Sequence, residues 1–107
     1  MKLYKFLFFL CFCSKVVAQN SYNVNLLDVW TDTTLTKGVG NAIFSDLWGF
    51  EQNGDEYIAL GSTEGTHVFK IDNNKLRLLD FKPGKFSSTQ VVHRDYKTYK
   101  NYLYAVC

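Results

Sequence analysis

An all-β fold is what this sequence predicts, and three observations carry the prediction. First, a motif that opens on an aspartate and aromatic residues and runs into a hairpin occurs twice. One copy reads Asp46-Leu47-Trp48-Gly49-Phe50, a polar turn at Asn53-Gly54-Asp55, then Tyr57-Ile58-Ala59-Leu60. The other reads Asp95-Tyr96-Lys97-Thr98-Tyr99, a shorter turn at Lys100-Asn101, then Tyr102-Leu103-Tyr104-Ala105-Val106. The aspartates are 49 residues apart and the alanines 46, the shorter second turn absorbing the difference. Second, turn signals punctuate the chain at short intervals. Third, no window after the amino-terminal segment shows helical periodicity. A period of roughly 40 to 50 residues built from short strands is that of β-propeller blades. The chain therefore reads as a partial β-propeller, one four-stranded blade plus the start of a second, following a signal peptide.

In chain order, residues 1–18 read as that signal peptide. Lys2 and Lys5 supply a positive start, Phe6 to Cys13 is an apolar run, and Val16-Val17-Ala18 offers small residues for cleavage before Gln19. The run is far short of the roughly 20 apolar residues a membrane span needs. Cys11 and Cys13 follow Leu10 and Phe12, not the small residue that a lipoprotein signal requires. Residues 19–107 then form a truncated, amino-terminal part of the β domain.

Ser21 to Trp30 alternates loosely, with Val24, Leu26 and Val29 apolar, and is expected to form a strand. Thr31 to Asn41 is rich in Thr, Gly and polar residues and reads as a loop. Leu47 to Phe50 is a short strand, and Asn53-Gly54 readily takes the left-handed angles of a tight hairpin. Tyr57 to Gly61 is the second strand, Ser62-Thr63-Glu64-Gly65 a turn, and Thr66 to Ile71 the third strand. Asp72-Asn73-Asn74 turns the chain into a fourth strand, Lys75 to Phe81. Pro83-Gly84 makes a turn and bars a central strand there. Val91-Val92 is a brief strand or buried anchor, and Asp95 opens the next unit. The strands at Tyr57 and Tyr102 are apolar on both faces, as expected of strands covered on both sides.

Loss of the leader removes Lys2, Lys5 and Lys15 and no acid, leaving 9 basic against 10 acidic residues, a net charge of −1. No basic patch remains to suggest nucleic acid or an anionic membrane. Cys11 and Cys13 leave with the leader, so Cys107 stands alone and no disulfide framework exists. As an interrupted strand end, Cys107 has the alternative of pairing between chains.

At Ser45-Asp46-Leu47-Trp48-Gly49, at Glu56 through Phe69, and at Arg94-Asp95-Tyr96-Lys97-Thr98-Tyr99-Lys100-Asn101-Tyr102-Leu103-Tyr104, the sequence resembles the choice-of-anchor B family. These are secreted, mostly bacterial proteins with propeller repeats of the LVIVD type. The resemblance runs over nearly all of residues 19–107, as the front of a longer domain. Ser45 departs from the family's usual asparagine and His93 from its usual tryptophan, and the later blades and carboxy-terminal anchor are missing. What the resemblance implies is export, a β-propeller and often attachment to the cell surface. It implies no catalytic activity. The family-motif residues Asp46, Trp48, Gly49, Gly61, Gly65, Arg94 and Asp95 are expected to be structural.

Each residue with chemistry has a bland reading beside the functional one. Asp46 and Asp95 could bind a ligand or calcium near a central channel. Their recurrence favours instead an aspartate accepting backbone N–H bonds at a strand entrance. Trp48 could stack on a sugar or pack between blades. Arg94 could hold a carboxylate ligand, or an inter-blade ion pair or backbone bond. His67 and His93 have no metal-site spacing. Asp72-Asn73-Asn74 matches part of a calcium loop but lacks its glycine and terminal glutamate. Ser45 and Ser62 lie in no nucleophile elbow. No cofactor follows, calcium being the one weakly suggested.

The functional expectation is an exported, non-enzymatic module for protein or glycan contact at the bacterial cell surface. The alternatives are part of a glycan-active hydrolase with acidic residues supplied by several blades, or a truncated gene product without function. Open strand edges predict that the isolated chain self-associates.

Overall fold

The computed structural model describes residues 23–85 and 94–106. The strands are β1 (Phe44–Gln52), β2 (Asp55–Ser62), β3 (Gly65–Asp72), β4 (Lys75–Pro83), β5 (Asp95–Tyr99) and β6 (Tyr102–Val106). They form a four-stranded antiparallel sheet in the order β1-β2-β3-β4 and a two-stranded sheet, β5-β6. The described chain is thus all-β, with four consecutive antiparallel strands where the turn signals place them. No helix among the described residues is long and apolar enough to cross a membrane.

Turn chemistry fixes the register. Asn53 (φ 56°) and Gly54 (φ 83°) both take left-handed angles, the geometry that matches strand twist in a two-residue hairpin. Asn73 (φ 49°) and Asn74 (φ 61°) achieve the same with side chains that tolerate this region. The tight loops set Gln52 opposite Asp55, Asp72 opposite Lys75 and Tyr99 opposite Tyr102. Pro83 ends β4, an edge strand, opposite Gly65, where its missing N–H costs nothing.

Because strand side chains alternate, this register sorts the large sheet into two faces. Leu47, Ile58, Leu60, His67 and Phe69 share one. Trp30 lies on it, its ring centroid 4.8 Å from Phe69, 5.1 Å from His67 and 5.8 Å from Phe44. Trp48, Ala59, Gly61 and Thr66 share the other face, against which β5 packs. Ala59 and Tyr96 are fully buried between the sheets.

Four expectations change. The described part of the strand expected from Ser21 to Trp30, residues 23–30, is extended chain without strand pairing. It is held by a side chain, not by a ladder: Asp28 Oδ2 accepts the Leu76 N–H at 2.9 Å and Oδ1 lies 3.4 Å from Lys75 Nζ. β1 begins at Phe44, not Leu47, because a bulge between those residues lets it pair as far as Ser62. The alanines of the two hairpins are not equivalent, for Ala59 stands opposite Trp48 whereas Ala105 stands opposite Tyr96. Aligning the aspartates puts Tyr104 in the place of Ala59. Finally, β6 is not covered on both faces, since Tyr102, Tyr104 and Val106 are 66%, 52% and 63% exposed. The signal peptide, Val91-Val92, His93 and Cys107 lie outside the described residues.

Candidate functional site

Two features concentrate chemistry: a buried polar junction at the β2–β3 turn, and an open groove between the sheets.

The junction is built on Ser62, which is fully buried. Its Oγ accepts the backbone N–H groups of Glu64 (3.3 Å) and Gly65 (3.2 Å), closing the turn. The hydroxyl proton then has two acceptors in reach, the Gly65 carbonyl at 3.2 Å and His67 Nε2 at 3.0 Å. His67 is 4% exposed, and its Nδ1 meets no hydrogen-bond partner. Burial pushes the imidazole pKa down, opposed more weakly by the carboxylates of Asp32 and Glu64. Serine, histidine and two nearby acids suggest a nucleophile, but Ser62 has no surface from which to attack a substrate and its lone pairs are engaged by the turn. The pair locks a turn.

Other segments converge on this turn. Glu64 Oε1 accepts both the backbone N–H and the hydroxyl of Thr36 at 2.9 Å, which holds its carboxyl below the usual range. Thr63 Oγ1 donates to the Thr36 carbonyl at 2.6 Å. Arg94 Nε donates to the Ser62 carbonyl at 2.9 Å, so the small sheet is tied to the large one by a side-chain bond to the backbone. The Arg94 guanidinium lies where a Cβ on Gly84 would stand, and its Nη2 has no partner. Thr66 Oγ1 and the Tyr96 hydroxyl are 2.9 Å apart.

Two motif glycines are sites of close approach. A Cβ on Gly61 would fall on Ser45 Oγ and stand 3.0 Å from the Tyr96 hydroxyl. On Gly65 it would fall on the Lys82 carbonyl and 2.9 Å from Pro83 Cα. Gly49 is different: its Cβ would meet nothing.

The remaining motif residues line the seam between sheets. Asp46 Oδ2 accepts the Tyr96 backbone N–H at 3.2 Å. Trp48 Nε1 donates to Thr98 Oγ1 at 3.3 Å, and the Lys97 ammonium stands 3.9 Å from the centroid of the Trp48 ring. Asp95 is exposed. Asp72-Asn73-Asn74 is a tight turn, and no group of three or more His, Cys, Asp or Glu side chains converges among the described residues.

Where the seam opens, near the turn ends of both hairpins, lies a groove of about 270 Å³ lined by Phe50, Gln52, Val68, Thr98, Asn101 and Tyr102, with Glu51 beside them. Phe50 stacks on Tyr57, ring centroids 5.4 Å apart and planes 17° off parallel. Aromatic faces beside amide and hydroxyl groups make an amphipathic surface. Reading the two copies separately does not reveal this groove, nor the Ser62–His67 pair; only the Ser62-to-Gly65 turn signal hints at the latter. No protein-family model, no curated protein and no solved structure matches this chain.

Proposed function

We propose that this chain is part of an exported, non-enzymatic β-propeller-type module that makes glycan or protein contacts at the cell surface. Export rests on the amino-terminal pattern of Lys2, Lys5 and the apolar run to Cys13, and the propeller reading on the repeat and the choice-of-anchor B resemblance. The observation that carries binding is the inter-sheet groove, where the Phe50 and Tyr102 rings stand beside the Gln52 and Asn101 amides. Sugars present apolar C–H faces and rings of hydroxyls, which such a surface complements. Among the described residues, Glu51 is the one carboxylate lining the groove, whereas glycoside hydrolysis uses a facing pair. That favours contact over cleavage.

Titration with a panel of neutral oligosaccharides, followed by calorimetry, tests the reading. We expect weak binding by the wild type and at least a tenfold loss in Phe50→Ala and Asn101→Ala, the equivalent of about 1.4 kcal/mol. Binding that survives both substitutions, or none in the wild type, removes the groove as a glycan site.

A further inference from the structure

The seam between the two sheets follows a rule that the repeat can apply again. On β1, Asp46 and Trp48 face β5, and on β5, Tyr96 and Thr98 face β1. The Asp46 carboxylate accepts the N–H of the residue that follows the aspartate of the next copy, Tyr96. Alternation then puts the positions of Asp95, Lys97 and Tyr99 on the opposite side of β5, from which the Lys97 ammonium reaches back to the Trp48 ring in the existing seam. These hold the places that Asp46, Trp48 and Phe50 hold on β1. Their cross-strand partners Val106, Tyr104 and Tyr102 share that outward face. It is an aromatic and apolar surface with Tyr99 64% and Tyr104 52% exposed and Asp95 at its margin, Tyr102 at the turn end also bordering the groove.

The complementary surface is on the same chain. The residue of the first copy that corresponds to Tyr96 is Leu47, on the face of β1 turned away from β5. Leu47 is 58% exposed, and Gly49 beside it is open. An open hollow of about 410 Å³ lies next to them, bounded by Ile58 and Ile71. Of the described amino-terminal residues, Trp30 packs near Phe44 at the start of β1, while Asp28 anchors the segment at the far edge, on β4.

We propose that the outward face of β5–β6 receives β1 of a second copy of this chain, with Asp95 accepting the backbone N–H of the second copy's Leu47. Such a contact continues the seam already present: the same strand pair, the same aspartate-to-N–H bond, the next face. The contact is head-to-tail, so each copy offers one surface of each kind, and assembly runs to a ring or an open stack. It rests on the repeat and the seam, and stands whether or not the groove binds glycan.

Sedimentation velocity of the full 107-residue chain tests this with two substitutions far from the groove. Wild type is expected to grow in mass with concentration. Asp95→Ala spoils one surface and Leu47→Asp the other, so each alone stays monomeric. Mixed in equal amounts, the two variants still hold one intact pair of surfaces, and form a dimer and nothing larger. A wild type that remains monomeric overturns the proposal. So does assembly that persists in both variants, which would locate the contact elsewhere, residues 1–18 included, and so does a mixture that stays monomeric. Circular dichroism checks that each variant keeps its β structure. Asp95→Val and Leu47→Gln replace any variant that does not, with the same outcomes required.

Discussion

At His67 the ring is buried between Trp30, Phe69 and Phe81, with Nε2 taken up by Ser62 and Nδ1 unpaired. A second proton has no acceptor there and brings a charge into an apolar setting. The folded-state pKa therefore lies below the ordinary 6.5, against the weaker pull of Asp32 and Glu64. The unfolded chain binds this proton first, so protonation favours unfolding and stability rises with pH. The contribution is fully present above 6.5 and is lost as pH falls below it. One proton gives a slope of at most about 1.4 kcal/mol per pH unit. Urea unfolding at about pH 7.5 and 5.5, roughly one unit either side of the ordinary histidine value, should show wild type losing more stability than His67→Gln, which keeps an acceptor for the Ser62 hydroxyl and does not titrate. Equal losses would assign the titration to a group other than His67. The lowered carboxylates of Asp28, Asp55, Asp80 and Glu64 act in a separate, more acidic window, from their ordinary values of 3.8 and 4.5 downward.

Among the elements, β4 is the strand whose free edge is managed by a side chain. Asp28 takes the Leu76 N–H, and that bond is the first cause of its lowered pKa. A charged acceptor on an edge N–H does for β4 what a neighbouring strand would do, without offering a template for further pairing. Asp28→Ala should raise hydrogen exchange at the Leu76 amide and free residues 23–30, while amides of β2 and β3 keep their protection. Unchanged exchange at Leu76 would show that the segment is held by its apolar residues instead. A hollow of about 690 Å³ lies beneath this segment, lined by Leu26, Leu27, Ile71 and Leu76 among others, so those residues fill little of the space they bound.

Over the whole molecule, two sheets of unequal size share one seam. A hairpin of two short strands is marginal alone in water. The β5–β6 sheet thus owes its order to Tyr96 buried against the large sheet, to Arg94 on the Ser62 carbonyl and to Asp46 on the Tyr96 N–H. Removal of one such bond to a charged group costs on the order of 1 kcal/mol at a partly exposed site. We expect Asp46→Ala to lower protection across β5 and β6 together, with β2 and β3 the last to open. Loss of protection confined to Tyr96 alone would mean that the seam is held by packing and Arg94, with Asp46 incidental.

The local features of this fold were legible in the residues themselves. Asn53-Gly54 and Asn73-Asn74 predict tight turns because positive φ is a property of one or two residues and needs no distant partner. The runs between them predict strands for the same reason, and the Asp46 and Asp95 copies predict a repeated unit. The long-range features were not. Whether residues 23–30 pair or lie across the sheet depends on Asp28 meeting Leu76, some 48 residues on. The equivalence of Ala59 and Ala105 looked natural along the chain, but hairpin register counts from the turn, and the shorter second turn moves them to opposite faces. Ser62 and His67 are separated by a turn whose hydrogen bonds, not whose letters, bring them together. The groove exists only where one hairpin lies on another. Sequence by itself determined the strands, the turns and the repeat, since these are set by backbone angles and side-chain alternation. Tertiary structure alone decided which faces are covered, which polar groups are buried and where a ligand or a second copy can sit, because those depend on contacts between residues far apart in the chain.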